Sequence, residues 1–246
     1  LAKLLNKDIV FNYRSDDILS GGQGAPLAPV YHKFVMEELK LETPSCILNI
    51  GGVSNLTYWD GSELIGFDTG PGNALMDDYM SNIFNKNFDR DGTIAAKGTP
   101  IEVEIKKFLQ HDFFKTYPPK SLDRNKFSFQ YNELIKKKYS VNNIMATLAE
   151  FTIETITRSF QLLPKKVKSL LITGGGCRNV HLMNRLRDKL KLRIYNEKQL
   201  GIDFDYIEAE LIAYLSARSI YKLPFTFPST TGVSKPLSGG KLFKCL

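Results

Sequence analysis

The sequence predicts an α/β protein, and three observations carry that prediction. Short runs typical of strands alternate with longer segments of helical periodicity along the 246 residues. Residues 169–190 read as one β–glycine turn–α unit: the strand SLLIT, the turn GGGCRN and the helix VHLMNRLRDKL. Glycine-rich turns also occur near other predicted strands. Because ligands of open α/β sheets bind at the carboxyl ends of the strands, we expect function to collect at these turns.

The first predicted strands lie in the N-terminal half. SCILNI (Ser45 to Ile50) predicts a strand, and NLTYW, the dipeptide DG and ELIGFD predict a β-hairpin over 55–68. Asp68 then stands at the C-terminal end of a strand, before a flexible turn rich in glycine and proline. The later elements are a helix over 142–163 closed by Pro164, a strand at LRIY (192–195), and a helix that follows the N-cap Asp205 and stops before Pro224.

Composition excludes several classes of function. The net charge is +7, but the lysines are spread among acids in LIKKKYS, LLPKKVKS and RDKLKLR, which predicts solvated helix faces and no nucleic acid. Three scattered cysteines and three scattered histidines fit neither a disulfide framework nor a metal site. With no apolar run of membrane-spanning length and no signal peptide, we expect a cytoplasmic protein in a reducing compartment, without membrane contact.

Three glycine-rich turns are candidate phosphate-binding sites. Glycine lets backbone amides approach an anion, and a following helix N-terminus adds its positive dipole. A single turn of this kind is more often ordinary turn geometry, and only the three together with the strand-end Asp68 make phosphate binding about as good an explanation. The three are GGQGAPL (21–27), NIGGVSN (49–55) and TGGGCRN (173–179).

Asp68 has two readings at this level. It is a turn-former that bonds nearby amides, or a general base that takes a proton from an attacking nucleophile. FDTG is also the aspartic-protease signature. Those enzymes need two such aspartates, and this chain has one DTG among many helices, so we reject a protease.

Four further motifs accompany the glycine-rich turns and GFDTGPGNALMD: DRDGTIAAKG, PPKSLDRNKF, GIDFDYIEAE and FPSTTGVSKPLSGGKL. Taken together, these motifs resemble the anhydro-N-acetylmuramic acid kinase family over nearly the whole chain. The resemblance implies an actin/hexokinase (ribonuclease H-like) kinase fold of two α/β domains around a cleft. It implies that residues 1–44 are a remnant of a largely missing first domain, 45–226 a complete second domain, and 227–246 a segment returning toward the first. The segments that carry it are GGQGAPLAPVYH, NIGGVSNLT, GFDTGPGNALMD, DRDGTIAAKG, PPKSLDRNKF, TGGGCRNVHLMNRL, GIDFDYIEAE and FPSTTGVSKPLSGGKL.

The resemblance also implies a reaction. ATP with Mg²⁺ phosphorylates O6 of 1,6-anhydro-N-acetylmuramic acid while water opens the anhydro ring, giving N-acetylmuramic acid 6-phosphate for peptidoglycan recycling. Asp68 matches the family's general base, and the family suggests a homodimer. Glu208 matches a sugar-binding acid, with helix capping beside Asp205 as the alternative; the PPKS segment is a lid or a structured loop. The other implied contacts are Gln23 and Gly24 to substrate, and Gly51, Gly52, Gly174, Gly175, Gly176 and Asn179 to nucleotide.

The sequence departs from the family at its start. Family members begin with a strand and a turn of the GTSxDGxD kind, and LAKLLNKDIVFNYRSDD contains nothing like that turn. We therefore expect the strand in IVFNYR to lack sheet neighbours and the chain alone to have little kinase activity. Two hypotheses remain open. The first is a kinase, either one piece of a split enzyme completed by an N-terminal fragment or a chain that is truncated at its start. The second is a non-catalytic remnant or interaction module that binds nucleotide or sugar.

Overall fold

The fold is described by a computed structural model of residues 1–195, 197–204 and 206–245. Within these residues the strands are β1 (Ile9–Phe11), β2 (Ser45–Ile50), β3 (Val53–Trp59), β4 (Leu64–Pro71), β5 (Ser169–Thr173), β6 (Arg193–Tyr195) and β7 (Lys241–Phe243). The α-helices are α1 (Ala2–Leu5), α2 (Ser15–Leu19), α3 (Pro29–Glu38), α4 (Ala74–Phe84), α5 (Glu102–Leu109), α6 (Ser128–Ile135), α7 (Val141–Ser159), α8 (Val180–Leu190), α9 (Glu197–Leu200) and α10 (Ile207–Ile220). Short 3₁₀ segments lie at Arg90–Gly92, Ala95–Lys97, Asp112–Lys115, Phe160–Leu162 and Gly175–Arg178.

A mixed five-stranded sheet in the order β4-β3-β2-β5-β6 forms the centre. β3 runs antiparallel to both β2 and β4, whereas β5 runs parallel to both β2 and β6. The carboxyl ends of β2, β4 and β5 therefore lie at the same edge of the sheet. This confirms the α/β fold and places the predicted ligand edge.

The two faces of the sheet are covered by different helices. Alternating residues of β2, such as Leu48 and Ile50, enter the larger core with helices α4 to α8. Ile47, which directly precedes Leu48, enters a second core with α3 and α10. The alternation follows from the period of two along a strand, and burial on both faces explains why SCILNI reads as a continuous apolar run.

The predicted elements agree with the structure except near Asp68. The strand at 45–50, the hairpin, the β5–turn–α8 unit and the strand at LRIY are confirmed, and the helix expected over 142–163 is α7 with a 3₁₀ extension. The N-cap at Asp205 lies outside the described residues. The expectation that Asp68 ends its strand is wrong, because β4 continues to Pro71 and the carboxylate belongs to a strand rather than to a flexible turn.

The N- and C-terminal segments meet. β1 pairs antiparallel with β7, from Ile9 opposite Phe243 to Phe11 opposite Lys241. Within the described residues β1 therefore has one strand neighbour, β7, and the expectation that it lacks the neighbours it would have in a complete first domain stays a prediction. The three-part division at 44 and 226 stays a prediction; α3, in its first part, covers the sheet of the second. Among the described residues, no helix has the length and apolar character needed to cross a membrane.

Gly66 allows α3 to pack closely on the sheet. A Cβ on Gly66 would lie 2.2 Å from Pro29 Cγ at the start of α3, so the helix rests directly on the β4 backbone. We expect Gly66→Ala to lower the free energy of unfolding by about 1–3 kcal/mol, because overpacking must be relieved by backbone shifts. Urea denaturation measures this. Gly52→Ala is the matched control, since its Cβ would lie 3.8 Å from its nearest neighbour. An equal loss of unfolding free energy in both variants would contradict the close packing of α3 on β4.

Candidate active site

A cavity of about 950 Å³ opens on the α3 and α10 face of the sheet, at the carboxyl ends of β2, β4 and β5. Its walls combine strand-end polar residues, two glycine-rich turns and the first turns of α10. It therefore lies where open α/β sheets bind ligands.

A row of four polar side chains crosses the floor of this cavity. Asp68 is paired with Asn55, Asn55 with Asn49, and Asn49 with Thr173 in the strand register. Directly paired residues share a face of the sheet, and all four line the cavity. With about 4.8 Å between neighbouring strands, the row spans roughly 14 Å.

A β-bulge in β4 lies directly after Asp68. Ser54 pairs with Gly70 while Asn55 pairs with Asp68, so Thr69 is an extra residue in β4. Its hydroxyl donates to the Ser54 carbonyl at 3.2 Å. Such a bulge re-aims side chains beside it. The ladder before the bulge runs regularly from Leu64 opposite Trp59 to Asp68 opposite Asn55, so the hairpin register places the carboxylate in the row and the bulge shifts only the residues that follow.

Asp68 is a buried carboxylate with one oxygen held by the backbone. Its side chain is 6% exposed, and Oδ2 accepts the Leu122 N–H at 2.7 Å. Burial raises the pKa of Asp68 to about 6; the Leu122 N–H and the positive charge of Arg14 oppose that rise. A carboxyl with this pKa is ionised at neutral pH and takes up a proton more readily than an exposed aspartate, as a general base requires.

The PPKS segment, taken here as residues 118–127, is a structured loop in contact with Asp68. The Asp68 N–H donates to Lys120 O at 2.9 Å, next to the bond from Leu122. Gln23 holds the other side, with Nε2 donating to Pro119 O at 3.0 Å and Oε1 accepting from Ser121 N at 2.6 Å. Gln23 thus supports the loop that holds the carboxylate.

Buried side chains anchor this loop. Lys120 donates to Phe113 O at 3.2 Å and lies 4.5 Å from the Phe113 ring centroid. Burial lowers the pKa of Lys120 to about 8. After the loop, Phe127 is fully buried against Phe151, with the ring centroids 5.4 Å apart. These contacts fix the two ends of the segment.

Gly24 is held by the terminal segments. Its N–H donates to Asp17 Oδ1 at 2.7 Å, and Thr231 Oγ1 donates to Asp17 Oδ2 at 2.6 Å. Asp17 is 1% exposed. The turn at 21–27 is therefore tied to residues near the C-terminus, and the predicted substrate contact of Gly24 stays a prediction.

The glycines of the other two turns divide into packed and open positions. Gly174 has φ of +78° and a Cβ there would lie 2.3 Å from Asn49 Oδ1; at Gly176 it would lie 2.3 Å from Ile50 Cγ2. Gly51 and Gly175 face the cavity and would accept a Cβ without a clash. The backbone of Gly51 and Gly175 is therefore free to approach a ligand.

Two predicted residues have other described contacts. Asn179 is the N-cap of α8, where its Oδ1 accepts from Leu182 N at 3.1 Å. Glu208 is exposed in the first turn of α10 and lines the cavity. No side-chain capping bond is described for α10, and the alternative that involves Asp205 lies outside the described residues.

Sequence reasoning missed His32, Asn49, Asn55 and Arg124, which all line the cavity. His32 is 2% exposed, its Nδ1 lies 2.7 Å from Thr57 Oγ1, and burial lowers the pKa of His32 to about 3. The imidazole is therefore neutral at pH 7. The asparagines were detectable only as polar residues in otherwise apolar strands.

The cavity has no preformed metal centre within the described residues, since no three metal-ligating side chains cluster there. Mg²⁺ in nucleotide sites is typically held by one or two carboxylates together with phosphates and water. The carboxylates of Asp123 and Glu208 on the cavity wall fit an ion that arrives with a nucleotide.

The chain is similar to known proteins in sequence and in fold. A family model described as anhydro-N-acetylmuramic acid kinase matches residues 1–245. Proteins of that name from Rhodopseudomonas palustris strain HaA2 and Brucella anthropi are 45% and 39% identical, each over 98% of this chain. The chain spans 65% and 64% of their lengths. A solved xylulose kinase from Lactobacillus acidophilus matches with a TM-score of 0.45 and 13% identity, over 77% of this chain and 41% of that one, which carries no argument about function.

Asp68 should destabilise the fold when it is ionised. Its folded-state pKa of about 6 exceeds the unfolded value, so the folded chain holds the proton more tightly and loses stability as the pH rises from about 4 to 6. Asparagine keeps an acceptor for the Leu122 N–H without the charge. We expect Asp68→Asn to raise the free energy of unfolding by about 3 kcal/mol at pH 8 and by less than about 1 kcal/mol at pH 4.

Urea denaturation at the two pH values measures this difference. Asp188→Asn, which removes one exposed carboxylate from α8, is the control and should show no such pH-dependent gain. A loss of stability in Asp68→Asn at pH 8 would contradict the account of a buried carboxylate that destabilises the fold when it is ionised.

Proposed function

This chain belongs to the anhydro-N-acetylmuramic acid kinase family, and from that premise we propose that it carries the general base and the nucleotide-binding surface of an ATP-dependent kinase that acts on 1,6-anhydro-N-acetylmuramic acid. In this reaction the oxygen of a water molecule attacks the anomeric carbon and the bond from that carbon to O6 breaks. O6 takes the terminal phosphoryl group of ATP, and Asp68 takes the proton of the water. The products are N-acetylmuramic acid 6-phosphate and ADP.

The observation that carries this proposal is the state of Asp68. The carboxylate lines the cavity, is buried, and has only Oδ2 engaged by a described hydrogen bond. Burial raises its pKa to about 6, within reach of neutral pH. Because the register of β4 and the Leu122 N–H fix its direction, it is preorganised for proton abstraction.

The polar row separates two ligand positions. In the proposal the sugar lies at the Asp68 end and the nucleotide at the Thr173 end, next to Gly174 and Gly175. The row spans roughly 14 Å at ordinary strand spacing, which leaves the phosphates to lie between the two ends, over Gly51. Phosphoryl transfer depends mainly on such positioning and on neutralising charge.

Mg²⁺ would shield the phosphate charge when it enters with ATP. The protein's share is to present carboxylates and open backbone at the phosphates, as Asp123 and Gly51 do on the cavity wall. The homodimer and the completing N-terminal fragment implied by the resemblance stay predictions.

Turnover by the purified chain tests the proposed function. The assay follows ATP-dependent phosphorylation of 1,6-anhydro-N-acetylmuramic acid, by the chain alone and with an added N-terminal fragment of a relative. We expect Asp68→Asn to lower kcat by about 10²–10⁴-fold in the active mixture, because a positioned base contributes about that factor. Asp188→Asn is the matched control. If neither wild-type mixture turns over, the kinase proposal fails and a binding-only module remains.

The pH dependence of the reaction identifies the base. Asp68 must be ionised to accept a proton, so kcat/KM should fall below pH 6 and reach half its plateau near that value. Initial rates between pH 4.5 and 8.5 measure the profile. A profile that stays flat down to pH 5 would remove Asp68 from the role of base.

A further inference from the structure

Arg124 is a cavity-lining arginine outside the residues assigned so far. We propose that Arg124 binds the terminal phosphate of a bound nucleoside triphosphate and exchanges its partner Asp78 for that phosphate. This inference rests on the proposed function, because it needs a nucleotide at the glycine turns. It assigns a positioning residue to the PPKS loop, which the reaction above leaves with a supporting role only.

The geometry places the guanidinium beside the glycine turn at 51–52. Arg124 Nη2 lies 2.6 Å from Asp78 Oδ1, and Nη1 lies 3.3 Å from Oδ2. Nε takes no part in this pair and lies 3.8 Å from the position that a Cβ on Gly52 would occupy. A ligand on the open side of this turn would therefore lie next to the guanidinium.

The ion pair can be exchanged at little cost. The side chains of Arg124 and Asp78 are 49% and 38% exposed, and pairs this exposed contribute little to stability. A terminal phosphate carries more charge than a carboxylate and accepts the same forked pair of N–H donors. Phosphate is thus the stronger partner for the guanidinium. When no phosphate is bound, the ion pair with Asp78 holds the guanidinium near the cavity.

Arg124 also shares a backbone segment with the group that holds the base. Leu122, two residues earlier, donates its N–H to Asp68. One loop therefore touches the proposed base and the proposed phosphate position. A phosphate bound by Arg124 is held in register with the carboxylate that activates the water.

Direct binding to the intact chain tests the inference. A non-hydrolysable ATP analogue and adenosine are titrated by calorimetry in the presence of Mg²⁺. We expect Arg124→Ala to weaken the analogue about tenfold, the share of one hydrogen bond to a charged group, and to leave adenosine unchanged. Lys126→Ala removes an exposed charge two residues further along the chain and is the control; it should change neither affinity.

The partner variant Asp78→Asn separates phosphate binding from a structural role. If Arg124 binds phosphate, removing its competing carboxylate should leave the analogue affinity equal or tighter. If the pair only fixes the loop, Arg124→Ala and Asp78→Asn should weaken binding alike, and that result overturns the inference.

Two further outcomes are distinguishable. Equal analogue affinities in wild type and Arg124→Ala, with nucleotide binding intact, overturn the role of Arg124 and leave the proposed function standing. A wild-type chain that binds neither analogue nor adenosine contradicts the proposed function and with it this inference.

Discussion

The strand register at the carboxyl edge of the sheet is the constraint on which the rest of the site depends. Asp68, Asn55, Asn49 and Thr173 share one face because three strand pairings align them. A slip of one residue would move each side chain to the opposite face. The buried apolar residues on both faces oppose such a slip, so the two cores position the site as well as stabilising the sheet.

The sequence was sufficient for the elements and insufficient for the site's support. SCILNI, the DG hairpin and the β5–turn–α8 unit follow from local periodicity and turn chemistry, and the structure agrees. The bulge was not predictable, because it depends on how β3 and β4 pair and not on either segment alone. For the same reason Asp68 reads as the end of a strand in the sequence, although β4 continues past it to Pro71.

Long-range contacts explain the other omissions. Gln23 lies 96 residues from its partner Pro119, and Leu122 lies 54 residues from Asp68. No spacing rule connects such positions. His32 has no distinguishing pattern in the sequence for a related reason. Its ring reaches the sheet and Thr57 only because α3 packs against Gly66. Motifs identify the residues that do chemistry more readily than those that hold them.

At Asp68 the stability of the fold conflicts with the proposed role as a base, and the surrounding loop reduces that conflict. Burial makes the carboxylate a better base and costs folding free energy when it is ionised. The Leu122 N–H offsets part of that cost and fixes the direction of Oδ2, and the same loop is itself held by Gln23 and Lys120. If the loop instead closed freely over an empty site, the carboxylate would need to stay hydrated until closure and its pKa would stay low. A fixed loop maintains the raised pKa before any ligand arrives, which is why the segment is better understood as part of the site's wall than as a lid.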